Sequence, residues 1–243
     1  KEKMTNLSFT EIVHTRRSVR VYHSTDYNPA AVTKSLELAT LAPNSSNMQL
    51  WEFYRISSAE MKSHVAEACL SQNAAKTAQE FVVIVVRPDL WKSRAQANAQ
   101  HLQKDEKSNK KNFTGLSRVQ YYQKLMPLLY NNDWLGIRGL LKKIYVTLKG
   151  ISKPIVREVT GADIRVVVHK SAALAAQTFM LSMVAEGHDT CPMEGFDSKR
   201  MKKILNLPSK AEVNMIISCG KRLPEGIYGD RFRIPLEEVV FQR

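Results

Sequence analysis

The sequence lacks the cysteine spacing and the long apolar runs that mark several classes of protein. Its three cysteines, Cys69, Cys191 and Cys219, lie far apart and form neither a C-x-x-C pair nor a Cys/His ligand spacing. This pattern argues against a disulfide framework and a metal site, and it predicts a reducing, cytoplasmic location. No apolar run reaches transmembrane length, so no membrane contact is expected.

Glycine-rich phosphate loops are also missing. The ten glycines never form G-x-G-x-x-G or G-x-x-x-x-G-K-[ST], which argues against a Rossmann cofactor site and a P-loop. H-E-x-x-H and G-x-S-x-G are absent too, so zinc proteolysis and esterase chemistry have no support. A bound phosphate would therefore have to be held by side chains, and arginine suits it best.

Acidic residues are in deficit, because 23 Asp and Glu oppose 36 Lys and Arg and leave a net charge of +13. Such an excess suggests a polyanion, a membrane surface or small anionic ligands as partners. The lysines of 104–111 and 142–153 are interpreted as solvated helix faces. Nucleic-acid binding is a lower-ranked alternative because no aromatic residues interleave with these runs.

Helical and strand patterns alternate along the chain, which predicts an α/β or α+β class. We expect helices at 28–42, with Asn28 as N-cap, and at 58–70, 169–186 and 197–206, and strands at 51–56, 81–86 and 213–218. Residues 89–161 are polar and lysine-rich and are interpreted as a helical insertion or lid. His188 and Asp189 are adjacent on a loop after a helix, where a structural role is favoured over acid–base chemistry.

Three arginines fall within five residues near the start of the chain: Arg16, Arg17 and Arg20, around Ser18. Guanidinium groups stay charged at physiological pH and repel one another unless an anion lies among them. The cluster follows a short amphipathic stretch at 9–14, which predicts a position at a helix end. Taken alone, it fits a phosphate site and a solvated basic turn equally well.

Three further segments carry distinctive motifs. The first is A-P-N-S-S-N-M-Q-L-W at 42–51, and the second is C-P-M-E-G-F-D at 191–197. The third is G-D-R-F-R-I-P-L-E-E-V-V at 229–240. With R-R-S-V-R, in this order and spacing, they resemble the nitroreductase family of FMN-dependent NAD(P)H oxidoreductases, over roughly residues 8–90 and 165–243.

The resemblance implies an α+β fold, with a mixed central β-sheet flanked by helices and C-terminal tails exchanged in a homodimer. The whole chain, 1–243, would form one FMN-binding domain with 89–161 as a helical insertion or lid within it. FMN would lie between the two subunits. Asn44 and Leu50 depart mildly from the family's usual Ser and Pro, and the insertion is longer and more basic than the family pattern.

The resemblance also implies roles for individual residues. Arg16, Arg17 and Ser18 would bind the phosphate and ribityl chain, Arg231 and Arg233 would complete the phosphate site, and Arg20 would lie near flavin N1 and O2. Pro43, Asn44, Ser45 and Asn47 would reach the flavin from the partner subunit. Pro192, Met193, Glu194 and Gly195 would line the ring, with the Glu194 and Gly195 amides near N5, and Gln72 would contact its pyrimidine end.

The implied activity is hydride transfer from NADH or NADPH through bound flavin to a nitroaromatic, quinone or similar acceptor in a ping-pong cycle. No side chain need act as nucleophile or obligatory base. A second possibility keeps the flavin but changes the reaction, to reductive dehalogenation, flavin fragmentation or ring oxidation. Cys191, beside the proposed flavin turn, is interpreted as a packed small residue in preference to a redox thiol.

Overall fold

A computed structural model describes residues 7–104, 110–111, 115–131 and 136–243. Its helices and strands are α1 (Phe9–Thr15), α2 (Pro29–Ala39), β1 (Trp51–Ile56), α3 (Ala59–Ala68), α4 (Asn73–Lys76), β2 (Glu80–Val86), α5 (Trp91–Gln103), α6 (Arg118–Gln120), α7 (Met126–Tyr130), α8 (Ile137–Ser152), α9 (Gly161–Ala185), β3 (Asp189–Met193), α10 (Ser198–Ile204) and β4 (Glu212–Gly220). A π-helical turn, Tyr121–Leu125, joins α6 to α7. Within the described residues no helix is long and apolar enough to cross a bilayer.

The four strands form one sheet in the order β1-β2-β4-β3, and every neighbouring pair is antiparallel. An isolated parallel bridge between Ser18 and Thr190 extends this sheet beside β3 and gives it a mixed character. The expected α+β class, with a central sheet flanked by helices, is confirmed, and the four strands themselves pair antiparallel throughout. The bridge also places the N-terminal arginine run beside the edge strand.

Strand β2 is buried on both faces, as its unbroken β-branched run predicts. Because side chains alternate along a strand, Val82 and Ile84 enter the core beneath α2 and α9, whereas Phe81 and Val83 pack on the side of α3 and α10. The sheet thus lies between two apolar layers. The buried Glu80, at the start of β2, accepts hydrogen bonds from Tyr27 and Arg55.

Several predicted boundaries are confirmed, and two elements differ. Strand β1 has the predicted limits, and Asn28 caps α2, which ends at Ala39 instead of Ala42. Helix α9 begins at Gly161, eight residues before the predicted start, because Thr160 and Asp163 form a capping box there. The turn expected after α9 contains a strand, β3, which pairs along the edge of β4.

Candidate functional site

The two ends of the chain bring their arginines together. Arg231 donates through Nη2 to the carbonyl of Arg16 and, at 3.0 Å, to that of His14. Arg17 donates through Nη2 to the carbonyl of Gly229 at 2.7 Å. These bonds join residues more than 200 positions apart and fix the C-terminal segment against the end of α1.

The resulting arginine cluster, defined as Arg16, Arg17, Arg20, Arg231 and Arg233, carries uncompensated positive charge. Burial, together with the nearby charges of Arg231 and Arg233, lowers the pKa of Arg16. Among the described residues, no carboxylate forms a salt bridge with any member of the cluster. Neighbouring guanidinium groups repel one another, and a phosphate is an anion whose geometry matches their donors.

Ser18 and Arg20 lie where the N-terminal run meets β3. The amide of Val19 donates to the carbonyl of Thr190 at 3.1 Å, which holds Ser18 beside the strand. Arg20 donates through Nη1 to the Ser18 carbonyl at 3.2 Å, and its guanidinium carbon lies 5.1 Å from the ring centre of Tyr228. A cation–π contact therefore fixes the Arg20 side chain.

The segment from Pro192 to Gly195 leaves the sheet beside this cluster. Pro192 and the buried Met193 end β3, and Glu194 and Gly195 follow as exposed residues. Gln72 donates through Nε2 to the Gly195 carbonyl at 2.8 Å. The sequence match at Gln72 is loose, yet the structure places this side chain at the predicted turn.

Tyr228 connects the segment of Gln72 and Asn73 to Arg20. The neighbour of Gln72, Asn73, donates through Nδ2 to the Tyr228 hydroxyl at 3.0 Å, and the Tyr228 ring faces Arg20. The sequence interpretation missed Tyr228. Its position immediately before the G-D-R-F-R motif is the signal that could have identified it.

The loop of Pro43, Asn44, Ser45 and Asn47 lies apart from the arginine cluster. Ser45 donates its amide to Ser171 Oγ near the middle of α9, at 3.2 Å, and Asn44 Oδ1 accepts from the Gln49 amide at 2.9 Å. Within the described residues, no hydrogen bond joins this loop to the arginine cluster of the same chain. Pro43, Ser45 and Asn47 are exposed, so they remain accessible to another molecule.

Helix α5 and the turn before α7 cover one side of this loop. Asn47 donates through Nδ2 to Asn98 Oδ1 at 2.8 Å, and Asn98 donates through Nδ2 to the Asn47 backbone carbonyl at 2.9 Å. Tyr122 donates to the Ser46 carbonyl at 2.9 Å. A cavity of about 450 Å³ lies between them, with His101, Arg118 and Tyr121 among its lining residues. The sequence interpretation missed Asn98, since nothing in its polar helix distinguishes it from its neighbours.

The His188–Asp189 pair and Cys191, which the sequence analysis considered as reactive groups, have structural contacts. His188 Nε2 accepts from the Asn28 amide at 3.0 Å, while Asp189 forms a salt bridge with Arg222. His188 and Asp189 therefore bond to different partners and do not form an acid–base pair with each other. Burial raises the pKa of the Cys191 thiol, which favours the protonated, unreactive form over a redox role.

The fold is that of an α+β protein, with a cluster of arginines beside its edge strand. Comparison with known proteins gives the family. The profile of the Nitroreductase family matches residues 13–221, and the chain belongs to that family of oxidoreductases.

Individual relatives align over almost the whole chain. MhqN of Bacillus subtilis (strain 168), whose assigned name is NAD(P)H nitroreductase, is 26% identical over 234 residues, covering 96% of this chain and 97% of MhqN. YdgI of the same organism, named likewise, is 27% identical over 239 residues, with 96% of each chain covered.

Solved structures show the same fold. A nitroreductase of Exiguobacterium sibiricum 255-15, solved in complex with FMN, has a TM-score of 0.70 at 22% identity and covers 98% of this chain and 99% of its own. YdfN of Bacillus subtilis has a TM-score of 0.69 at 24% identity, with 97% and 98% covered.

Proposed function

We propose that the protein is an FMN-dependent oxidoreductase that takes hydride from NADH or NADPH and reduces a nitroaromatic, quinone or similar small acceptor. The observation that carries the proposal is the arginine cluster. Both ends of the chain supply its guanidinium groups, and no carboxylate in the part of the chain that the structure describes forms a salt bridge with them. The names of the related proteins support the nicotinamide as electron donor.

The residues present fit the phosphate end of FMN. Arg16, Arg17, Arg231 and Arg233 would hold the phosphate, and Ser18 would hydrogen-bond the adjoining chain of the cofactor. Burial first, and then the charges of Arg231 and Arg233, lower the pKa of Arg16, and a bound anion would offset that repulsion.

The remaining positions in the cluster region would orient the ring. Arg20, held over Tyr228, would keep a positive charge beside the ring edge where negative charge accumulates on reduction. Glu194 and Gly195 would present backbone amides, while Pro192 and Met193 would pack against the ring, and Gln72 fixes the turn through its bond to Gly195. Bound FMN would supply the redox chemistry, accepting hydride from the nicotinamide and passing it to the acceptor.

We infer that the working form is a homodimer with two shared sites. Asn44 and its loop lie apart from the arginine cluster of their own chain, so they would complete the site of the partner. The C-terminal tail supports this arrangement, because its large apolar side chains are exposed: Phe232, Ile234, Leu236, Val239, Val240 and Phe241. An exchanged tail would bury them.

The helices of 89–161 would act as a lid within a single 243-residue domain. Their contact with Ser46 and Asn47 places the 450 Å³ cavity beside the loop that would face the partner's cofactor. Acceptor choice would depend on this cavity. Three free, buried cysteines fit the reducing cytoplasm that we propose as its location.

A visible absorption spectrum of the purified protein tests the cofactor directly. We expect flavin absorption, or its appearance after incubation with FMN and removal of excess, and a dimer by light scattering. A colourless monomer that does not take up FMN would refute the proposal. Oxidation of NADH and NADPH with a nitroaromatic or quinone acceptor then separates this activity from the other flavin reactions.

A further inference from the structure

Helix α8 directs an apolar stripe away from the rest of the protein. Its face toward the body includes Val146, which is buried, and Gly139, whose Cβ position lies 3.7 Å from Thr160, and Lys142 and Lys143 donate to carbonyls of the body. At 100° per residue, Val146 and Gly139 lie opposite the stripe. The α8 stripe consists of seven side chains that are between 50% and 82% exposed: Ile137, Leu140, Leu141, Ile144, Tyr145, Leu148 and Ile151.

The charge of this helix has one sign only. Residues 137–153 contain five Lys and Arg and no Asp or Glu. On the helical projection Arg138 and Lys149 lie along one flank of the stripe and Lys143 lies toward the other, while Lys153 follows the helix with extended backbone. Lys143 donates to the backbone carbonyl of Arg157 at 3.0 Å. The helix therefore presents an apolar face bordered by positive charge.

The stripe is remote from the arginine cluster. Gly139 lies beside Thr160, at the start of α9, whereas the cluster is tied to Thr190, just beyond the end of α9. Helix α9 has 25 residues, which separates its ends by about 37 Å. The C-terminal segment is held at the cluster's end through Arg17 and Arg231.

We propose that α8 binds the surface of a lipid bilayer with anionic headgroups. The stripe would enter the upper acyl region while the flanking lysines and arginines contact headgroup phosphates and carboxylates. A large apolar face with basic borders on a helix that lies in the membrane plane is the pattern of such interfacial helices. Docking against a second basic α8 would bring like charges together, which favours the lipid surface as the partner.

This inference goes beyond the proposed redox function and does not depend on it. It also departs from the sequence-based expectation of no membrane contact, which rested on the lack of a transmembrane run. At 16 residues, α8 is about 24 Å long, which is shorter than the roughly 30 Å hydrocarbon core and suits a helix lying in the interface.

The test uses flotation of the full-length protein, with its cofactor as purified, on vesicles. One set contains phosphatidylcholine alone and the other contains about one-third phosphatidylglycerol, which supplies the negative surface potential. Leu148→Ser/Ile151→Ser removes two stripe residues without changing charge, and Lys149→Gln/Lys153→Gln removes two positive charges. Leu41→Ser is the control, since Leu41 is 78% exposed on another surface, comparable to Ile151 at 82%.

We expect the wild type and Leu41→Ser to float with anionic vesicles and weakly with neutral ones. Each double variant should lose affinity, by about tenfold or more for Leu148→Ser/Ile151→Ser, because acyl burial contributes per methylene group. Failure of the wild type to float would overturn the proposal. So would full binding by the serine variant, since that result means adsorption of a basic protein by charge alone.

A light-scattering measurement separates the lipid surface from a second copy of the chain. The oligomeric state of Leu148→Ser/Ile151→Ser should equal that of the wild type, with an unchanged melting temperature because both positions are exposed. A change from dimer to monomer in this variant would assign the stripe to a subunit interface and overturn the proposal.

Discussion

Removing Arg233 should weaken FMN binding without destabilising the FMN-free protein. The Arg233 side chain donates to the neighbouring Phe232 carbonyl, so its loss leaves the bonds from Arg231 and Arg17 that hold the tail. One charge-assisted contact to phosphate contributes about 1.5–3 kcal/mol, which corresponds to a rise in the dissociation constant of about 10- to 150-fold for Arg233→Ala. Its charge also lowers the pKa of Arg16, so its removal relieves repulsion in the free protein.

Fluorescence titration with FMN measures the affinity, and thermal unfolding with and without FMN measures how much FMN binding stabilises the folded protein. At FMN about 100 times the wild-type dissociation constant, binding stabilises the wild type by about 2.7 kcal/mol. A tenfold weaker variant would gain about 1.4 kcal/mol at the same concentration. Arg243→Ala removes the same charge from the same tail and should behave as the wild type. Wild-type affinity in Arg233→Ala, or a less stable FMN-free variant, would refute the assignment.

Three further changes test other parts of the structure. Arg20→Ala should retain FMN but lower its midpoint potential by about 30–60 mV, the two-electron equivalent of one charge-assisted contact; an unchanged potential in a redox titration contradicts the role of Arg20. Arg55→Ala should lower the free energy of unfolding in urea by about 3 kcal/mol, because it leaves the Glu80 carboxylate buried without its cation, and Arg55→Lys should restore part of this loss. Hydrogen bonds from Arg87 lower the pKa of Asp89. The stability that ionised Asp89 contributes is fully present above its unfolded pKa of about 3.9 and is lost as the pH falls through its lower pKa in the folded protein. Asp89→Asn should therefore reduce the fall of the melting temperature at acid pH. A melting temperature that falls with pH as in the wild type would argue against this reasoning.

Local signals predicted much of the fold because they act over a few residues. Asn28 before Pro29 marks the start of α2, and the apolar run of β2 needs no distant partner to be identified. The start of α9 was wrong because its first turns contain glycine and three consecutive valines, which have low helix propensity. Strand β3 was missed because it is short and contains Pro192, and its pairing with β4 defines it.

The site could not be built from local patterns, since its members come from four distant segments. The resemblance assigned Arg16, Gly195 and Arg231 to one cofactor site. The structure joins Arg231 to Arg16 and, separately, Gln72 to Gly195 through hydrogen bonds between distant residues. Tyr228 shows what such reasoning omits, because its role depends on the positions of Arg20 and Asn73 in space. Contacts from a partner subunit stay predictions.

Helix α8 is linked through α7 to the 450 Å³ cavity beside Ser46 and Asn47. Lys142 on α8 donates to the Leu129 carbonyl of α7, and the turn leading into α7 supplies Tyr121 and Tyr122, which contact Ser46 at the cavity. If both proposals hold, a bilayer-bound α8 places this cavity near acceptors dissolved in the membrane. Loss of the stripe should then slow reduction of a lipid-soluble quinone in anionic vesicles and leave reduction of a water-soluble nitroaromatic unchanged. Equal slowing with both acceptors would instead indicate that α8 supports the cavity itself, and no slowing with either would separate acceptor reduction from membrane binding.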